Sequence, residues 1–169
     1  KTLCTRINGK LTCGIITETE AYAGVSDKAS HAYGGRRTAR NEVMYGEGGI
    51  GYVYLCYGLH HLLNVVTNKA DIPHAVLIRA IKPTVGIDLI LKRRNQLKPA
   101  KNTAAGPGTV SQALGISTKL NGEDLTGTRI WIKDEGLKVK EEQIIAGPRI
   151  GVDYAGEDAK LPYRFILKL

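Results

Sequence analysis

Apolar and polar residues alternate along residues 3–7 and 11–22, and Asn8-Gly9-Lys10 lies between the two stretches. Asn-Gly flanked by such alternation is a strong hairpin signal, so the chain should open on a β-hairpin. Residues 24–51 are polar, Gly-rich and basic, and read as loop. Further strands are expected at 52–57, 62–67 and 75–81. Residues 85–97 carry Val85, Leu89, Ile90, Leu91 and Leu97 and end in Lys92, Arg93 and Arg94, which predicts a helix with cations at its C-terminal dipole. Residues 99–108 read as a Pro- and Gly-containing loop. A short helix at 109–114 should stop at Gly115. Strands are expected again at 130–132, 137–139, 144–145 and 164–167. Strands outnumber helices and do not alternate with them as βαβ units do. The pattern therefore predicts an α+β fold: one domain over 1–169, a curved, mostly antiparallel β-sheet, partly open and barrel-like, with short helices around it.

Length fits that reading, since 169 residues with 43% hydrophobic content can bury one substantial core. The formal net charge of +8 favours an anionic partner, nucleic acid first and an anionic membrane surface second. An ordinary basic soluble protein would show the same balance. No apolar run reaches the ~20 residues that cross a bilayer, and no signal-peptide pattern is present. Cys4, Cys13 and Cys56 form an odd set with no CxxC spacing. They suggest no disulfide framework and point to a reducing, intracellular setting. Cys56 with His60-His61 is a poor zinc set, because adjacent strand residues face opposite ways. No metal site is expected.

The candidate chemistry begins in β-like residues 18–22. With period two, Glu18, Glu20 and Tyr22 share one face, two carboxylates and an aromatic beside the apolar Ile15, Ile16 and Ala21. Carboxylates held against apolar bulk tend to belong to sites. Either could belong to an acid–base pair or make a structural ion pair. The expectation is that they divide, Glu20 functional and Glu18 structural. Arg79, a cation in the buried-looking run 76–81, needs a carboxylate partner, and Glu20 is one candidate. Asn64 among Leu62, Leu63, Val65 and Val66 must be hydrogen-bonded, either structurally or to a ligand. Tyr57 sits where a hairpin tip would project, the right tool for wedging between base pairs. For Tyr54 and Asn64 to face one pocket, the intervening loop must have an odd number of residues, such as Gly58-Leu59-His60. Gly46-Glu47-Gly48-Gly49-Ile50-Gly51 matches GxGxxG, but no strand precedes it and no helix follows, so it reads as a loop.

Taken together, "ETEAYAG" at 18–24, "SHAYGGRRTARN" at 30–41, "YVYLCYGLHHLLNVV" at 52–66, "AVLIRAIKP" at 75–83, "GPGTVSQALGI" at 106–116 and "GPRIGVDYAGEDAKLPYRF" at 147–165 resemble the alkyladenine (3-methyladenine) DNA glycosylase family, in order and over nearly the whole chain. The start at Lys1, without an initiator Met, suggests that an N-terminal segment of the family is missing. The resemblance implies a monofunctional glycosylase of base excision repair that flips a damaged purine out of duplex DNA and hydrolyses its N-glycosidic bond. The implied lesions are 3-methyladenine, 7-methylguanine, hypoxanthine and ethenoadenine. It implies Glu20 as the general base for the attacking water, held also by Arg79 and the main-chain carbonyl of Ile150. Tyr22, His31 and Tyr54 would sandwich the base, and Asn64 would screen against guanine. Tyr57, Leu59, Arg36, Arg37, Thr38 and Arg40 would contact the DNA. Thr109, Ala39 and Asp158 depart from residues common in the family. No metal or organic cofactor is implied, and a monomer is expected, in cytoplasm and nucleoid of a bacterium or the nucleus of a eukaryote. Competing readings are a non-catalytic nucleic-acid-binding domain of the same fold and a small-molecule nucleoside N-glycosidase.

Overall fold

The computed structural model describes residues 1–168. Thr2–Ile7 (β1) and Lys10–Tyr22 (β2) form the expected hairpin. Asn8 and Gly9 both adopt left-handed backbone, φ 52° and 74°, which matches the twist of the flanking strands. Gly51–Cys56 (β3), His60–Val66 (β4) and Ala75–Val85 (β5) follow, then Ile130–Lys133 (β6), Ile144–Gly147 (β7) and Arg164–Leu167 (β8). All pairings are antiparallel in one curled sheet, ordered β3-β4-β5-β2-β1-β6, with β8 joining β2 and β7 joining β8. The long β2 is the spine. Its first half pairs with β1 and its second half with β8, while β5 runs along its other edge.

The helices are Ile87–Arg93 (α1) and Pro107–Leu114 (α2). They cover one face of the sheet, where Leu3, Val53, Leu63, Ile78, Ile90 and Leu114 belong to the main core. The alternate residues of the same strands face the other way, and Tyr52, Val66 and Ala75 pack there with Met44 and Tyr45 in a second cluster. This period-two split is what leaves a functional face to the sheet.

Four expectations are corrected. The helix expected at 85–97 is shorter, because Val85 ends β5 and Gly86 turns the chain with φ 73°. Leu97 lies beyond it and is wholly exposed. Residues 137–139 form no strand: no neighbouring strand pairs with them, and Gly136 ahead of them is left-handed. β3 stops at Cys56, so Tyr57 belongs to the loop. Cys4 and Cys13 are joined by a disulfide, because the hairpin register sets them directly opposite each other with Cα atoms 4.2 Å apart. That bond also removes the cysteine-based ground for a reducing compartment, and Cys56 is left as the free thiol. The GxGxxG run is a loop entering β3, as expected. No helix among the described residues is long and apolar enough to cross a membrane.

Gly86 is a sharp test of this packing. A Cβ there would collide with the Leu11 carbonyl oxygen and crowd Thr12, on a backbone that L side chains avoid. Gly86→Ala should cost about 3 kcal/mol, read as a lowered urea midpoint with an unchanged slope.

Candidate active site

The curl of the sheet leaves a cleft of about 390 Å³ on the face away from the helices, walled by Tyr22, His31, Tyr52, Tyr54, Asn64 and Arg79 among others. β2 supplies the acid. Glu20 is paired with Leu77 of β5 and its side chain is 0% exposed. One carboxylate oxygen accepts the Ile150 amide N–H at 2.8 Å, and the other accepts Tyr22 Oη at 2.9 Å and Arg79 Nη1 at 3.3 Å. Glu20 itself lies just behind the wall, while Tyr22, Arg79 and Ile150 all line the cleft. Ile150 thus meets the acid through its amide, whereas the resemblance implied a role for its carbonyl.

Glu18 is held elsewhere, by Arg79 Nε at 3.0 Å and Arg164 Nε at 2.6 Å. The two carboxylates have different partners, with Arg79 bridging them. Its position reflects a local irregularity: the β2–β5 register shifts on both sides of Glu18, and Ala80 and Ile78 are paired while Arg79 between them is not. A bulge of this kind re-aims a side chain.

Cross-strand pairing of Tyr52 with Asn64, and of Tyr54 with Leu62, brings all four side chains to the cleft. The connection is three residues, the odd number this geometry requires, but it is Tyr57 to Leu59 and not the expected Gly58 to His60, because β3 already ends at Cys56 and His60 opens β4. Asn64 donates to the Tyr52 carbonyl at 3.3 Å. At the tip Tyr57 is 91% and Leu59 77% exposed. The His31 ring lies 4.6 Å from that of Tyr54, and its Nδ1 shares a 2.8 Å hydrogen bond with Tyr52 Oη.

The tyrosine and histidine side of the wall is electrically quiet at neutral pH. Burial raises the Tyr22 hydroxyl far above its usual range, reinforced by the neighbouring Glu20 charge. Burial likewise raises Tyr54, and pushes Tyr52 up to about 12. Burial lowers His31, with the Arg40 and Arg36 charges adding to it, so the imidazole is neutral. Charge at the cleft comes from the Glu20–Arg79–Glu18 group and from Arg40 beside Tyr54.

The basic loop divides too. Arg37 is engaged by Glu42 and Asp71 and stacks over Tyr45. Arg40 lies over the Tyr54 ring and donates to the Leu55 carbonyl at 3.1 Å. Thr38 is tied to Asn41 Oδ1, and Arg36 is exposed. Two organisers had not been singled out from the sequence. Asn41 is buried and donates to the carbonyls of His31 and Arg36, bracing the loop under the cleft. Arg149 is buried against Asp27 and over Tyr22. Neither sits in a periodic apolar run, and their partners are brought close only by folding.

The curled sheet thus sets an aromatic-walled cleft beside a buried carboxylate, an arrangement suited to an enzyme acting on a planar ring. Comparison with known proteins makes this specific. The family model for methylpurine-DNA glycosylase (MPG) matches residues 1–169, and the chain belongs to that family of DNA-repair glycosylases. It is 50% identical over 168 residues to a Chlamydia felis protein named "Putative 3-methyladenine DNA glycosylase", covering 99% of this chain and 85% of that one. Proteins of the same name from Bacillus cereus (strain G9842) and Desulfitobacterium hafniense are 46% identical over 171 residues and 42% identical over 175. Those matches cover 96% and 99% of this chain, and 83% and 85% of the respective relatives.

Proposed function

We propose that this protein is a monofunctional DNA glycosylase that rotates an alkylated or deaminated purine out of duplex DNA and hydrolyses its N-glycosidic bond. The observation that carries the reading is Glu20, wholly buried yet bonded to three residues of the cleft wall. A carboxylate has about four acceptor sites. The Ile150 amide, Tyr22 and Arg79 use three of them, and the fourth takes a water when substrate binding opens the wall that closes Glu20 off from solvent here. As the departing base takes the electron pair of the glycosidic bond, the negative charge of Glu20 stabilises the oxocarbenium-like transition state, and Glu20 then accepts a proton from the water as it adds to the anomeric carbon on the opposite face. Arg79 and the Ile150 main chain hold the carboxylate and the water in line. Tyr22, His31 and Tyr54 stack on the extruded purine, and Asn64 rejects guanine. Uncharged tyrosine and histidine faces suit this task, since a cationic alkylpurine is then neither repelled by His31 nor trapped by a phenolate.

Tyr57 and Leu59 occupy the gap left in the duplex, and Arg36, Arg40 and Thr38 meet the backbone. Arg37, already engaged by two carboxylates, is the weakest of these contacts. No lysine lines the cleft among the described residues. Water is therefore the nucleophile, and the strand is not nicked. The substrate places the protein inside the cell, where it acts as a monomer on DNA.

Duplexes carrying 3-methyladenine, hypoxanthine or ethenoadenine should accumulate abasic sites that break only on later alkaline treatment. Release of bases from free nucleosides but not from duplexes, or binding with no excision of any lesion, would reject the reading. Tyr57→Ser should weaken binding to lesion duplex about tenfold, in line with the worth of one stacked aromatic. Removing Arg36 and Arg40 together should flatten the log–log dependence of affinity on salt by about 2, one unit for each lost phosphate contact.

A further inference from the structure

Arg149 immediately precedes the residue whose amide holds Glu20, and its own side chain is buried out of reach of solvent. Its Nη1 donates to Asp27 Oδ2 at 2.5 Å and to the Ala21 carbonyl at 2.9 Å. Its Nη2 donates to Asp27 Oδ1 at 2.8 Å and to the Asp158 carbonyl at 3.1 Å. The guanidinium also lies 4.8 Å from the Tyr22 ring centroid and 5.2 Å from that of Tyr163. Asp27 is fixed in turn by the amides of Ala23 and Ala29, both at 3.0 Å. One side chain therefore joins β2, the loop after it, the segment leading to Ile150 and the turn before β8.

We propose that Arg149 is a positioning residue for the glycosylase reaction: clamped by Asp27, it fixes both the Ile150 amide on Glu20 and the Tyr22 ring on the cleft wall. This rests on the functional reading above. The geometry behind it is direct. A single peptide link separates the anchored Arg149 from the Ile150 N–H, so rotation of the 149–151 backbone would withdraw that donor from Glu20. Tyr22 bonds the same carboxylate through its hydroxyl, while its ring rests beside the guanidinium. Both supports of Glu20 other than Arg79 thus depend on one planar fork. A lysine would keep the charge but present one compact head, unable to meet both Asp27 oxygens and two carbonyls together.

The test uses the full chain with Arg149→Met, Arg149→Lys and the double variant Asp27→Leu/Arg149→Met. Replacing both members of a buried pair avoids leaving a lone charge, which keeps a folded variant in hand. Without DNA, hydrogen exchange at the Ile150 amide should quicken at least tenfold in every variant. With DNA, single-turnover excision should fall at least tenfold, while affinity for a duplex bearing an uncleavable abasic analogue, which offers no base to Tyr22, changes less than threefold. Unchanged exchange at Ile150 in the folded double variant would overturn the proposal. So would equal losses of rate and affinity, the mark of mere destabilisation, or full recovery by Arg149→Lys. If the unmodified protein excises nothing, the glycosylase reading fails, and the exchange arm still decides whether Arg149 positions Ile150.

Discussion

Glu20→Gln should lower single-turnover excision about a thousandfold, within the range general-base catalysis contributes, while affinity for lesion duplex stays nearly unchanged. The amide is almost isosteric with the carboxylate, and its oxygen can still accept the Ile150 N–H. Its nitrogen, however, would face the Arg79 guanidinium, which only donates. The variant loses the base and the negative charge at once, with a stability cost of about 1–2 kcal/mol for the mismatched donor pair. Quantifying abasic sites under enzyme excess, beside a binding titration, separates chemistry from recognition. Excision within tenfold of the unmodified protein would end the assignment of Glu20. Glu18→Gln should behave differently, because Glu18 reaches the site only through Arg79.

Arg79→Met should be the most damaging single change to stability in the site. Arg79 spans Glu18 and Glu20, and side-chain exposures of 12%, 15% and 0% leave this group little access to water. Its removal sets two carboxylates near each other, and only Glu18 keeps a cation, Arg164. Breaking a buried pair in this way costs about 3–5 kcal/mol. The deficit should depend on pH with a definite sign. Folding of the variant penalises ionised carboxylates, so the unfolded chain releases their protons more readily and stability falls as pH rises. The gap to the unmodified protein therefore narrows as pH falls toward the ordinary carboxylate value of about 4.3, below which the penalty is gone. Chemical denaturation at pH 4 and pH 7 checks this. A deficit independent of pH would show that lost packing, not unpaired charge, is responsible. Excision should fall as well, about a hundredfold, because Tyr22 alone is then left on that oxygen of Glu20 and no cation faces it. Arg79→Lys should recover part of the stability but little of the rate, since one ammonium cannot bridge both acids.

Much of this architecture was legible in residue order. The Asn8-Gly9 turn and its flanking alternation predict the β1–β2 hairpin, and the odd-loop condition on Tyr54 and Asn64 is met by Tyr57 to Leu59. These features are local, and the two-residue period of a strand carries them. Gly86 was not legible in this way. The stretch around it has helical spacing, and only the approach of the Leu11 backbone makes a left-handed turn necessary there. The 137–139 segment has strand composition without a pairing edge, and a strand exists only with a partner.

By itself the sequence determined which residues share a face, and hence that Glu18, Glu20 and Tyr22 stand together and that Tyr57 projects. Its motifs also carried the family resemblance. Only the tertiary structure decided which acid is buried under the cleft and which is spent on Arg164, that the Ile150 amide closes on Glu20, and that Arg149 meets Asp27. The hydrogen bond between Ile150 and Glu20 spans 130 positions, and the Arg149–Asp27 pair spans 122. Side-chain periodicity reports direction relative to a neighbour along the chain. Contacts at such separations arise only when the curled sheet brings distant backbones within hydrogen-bond reach.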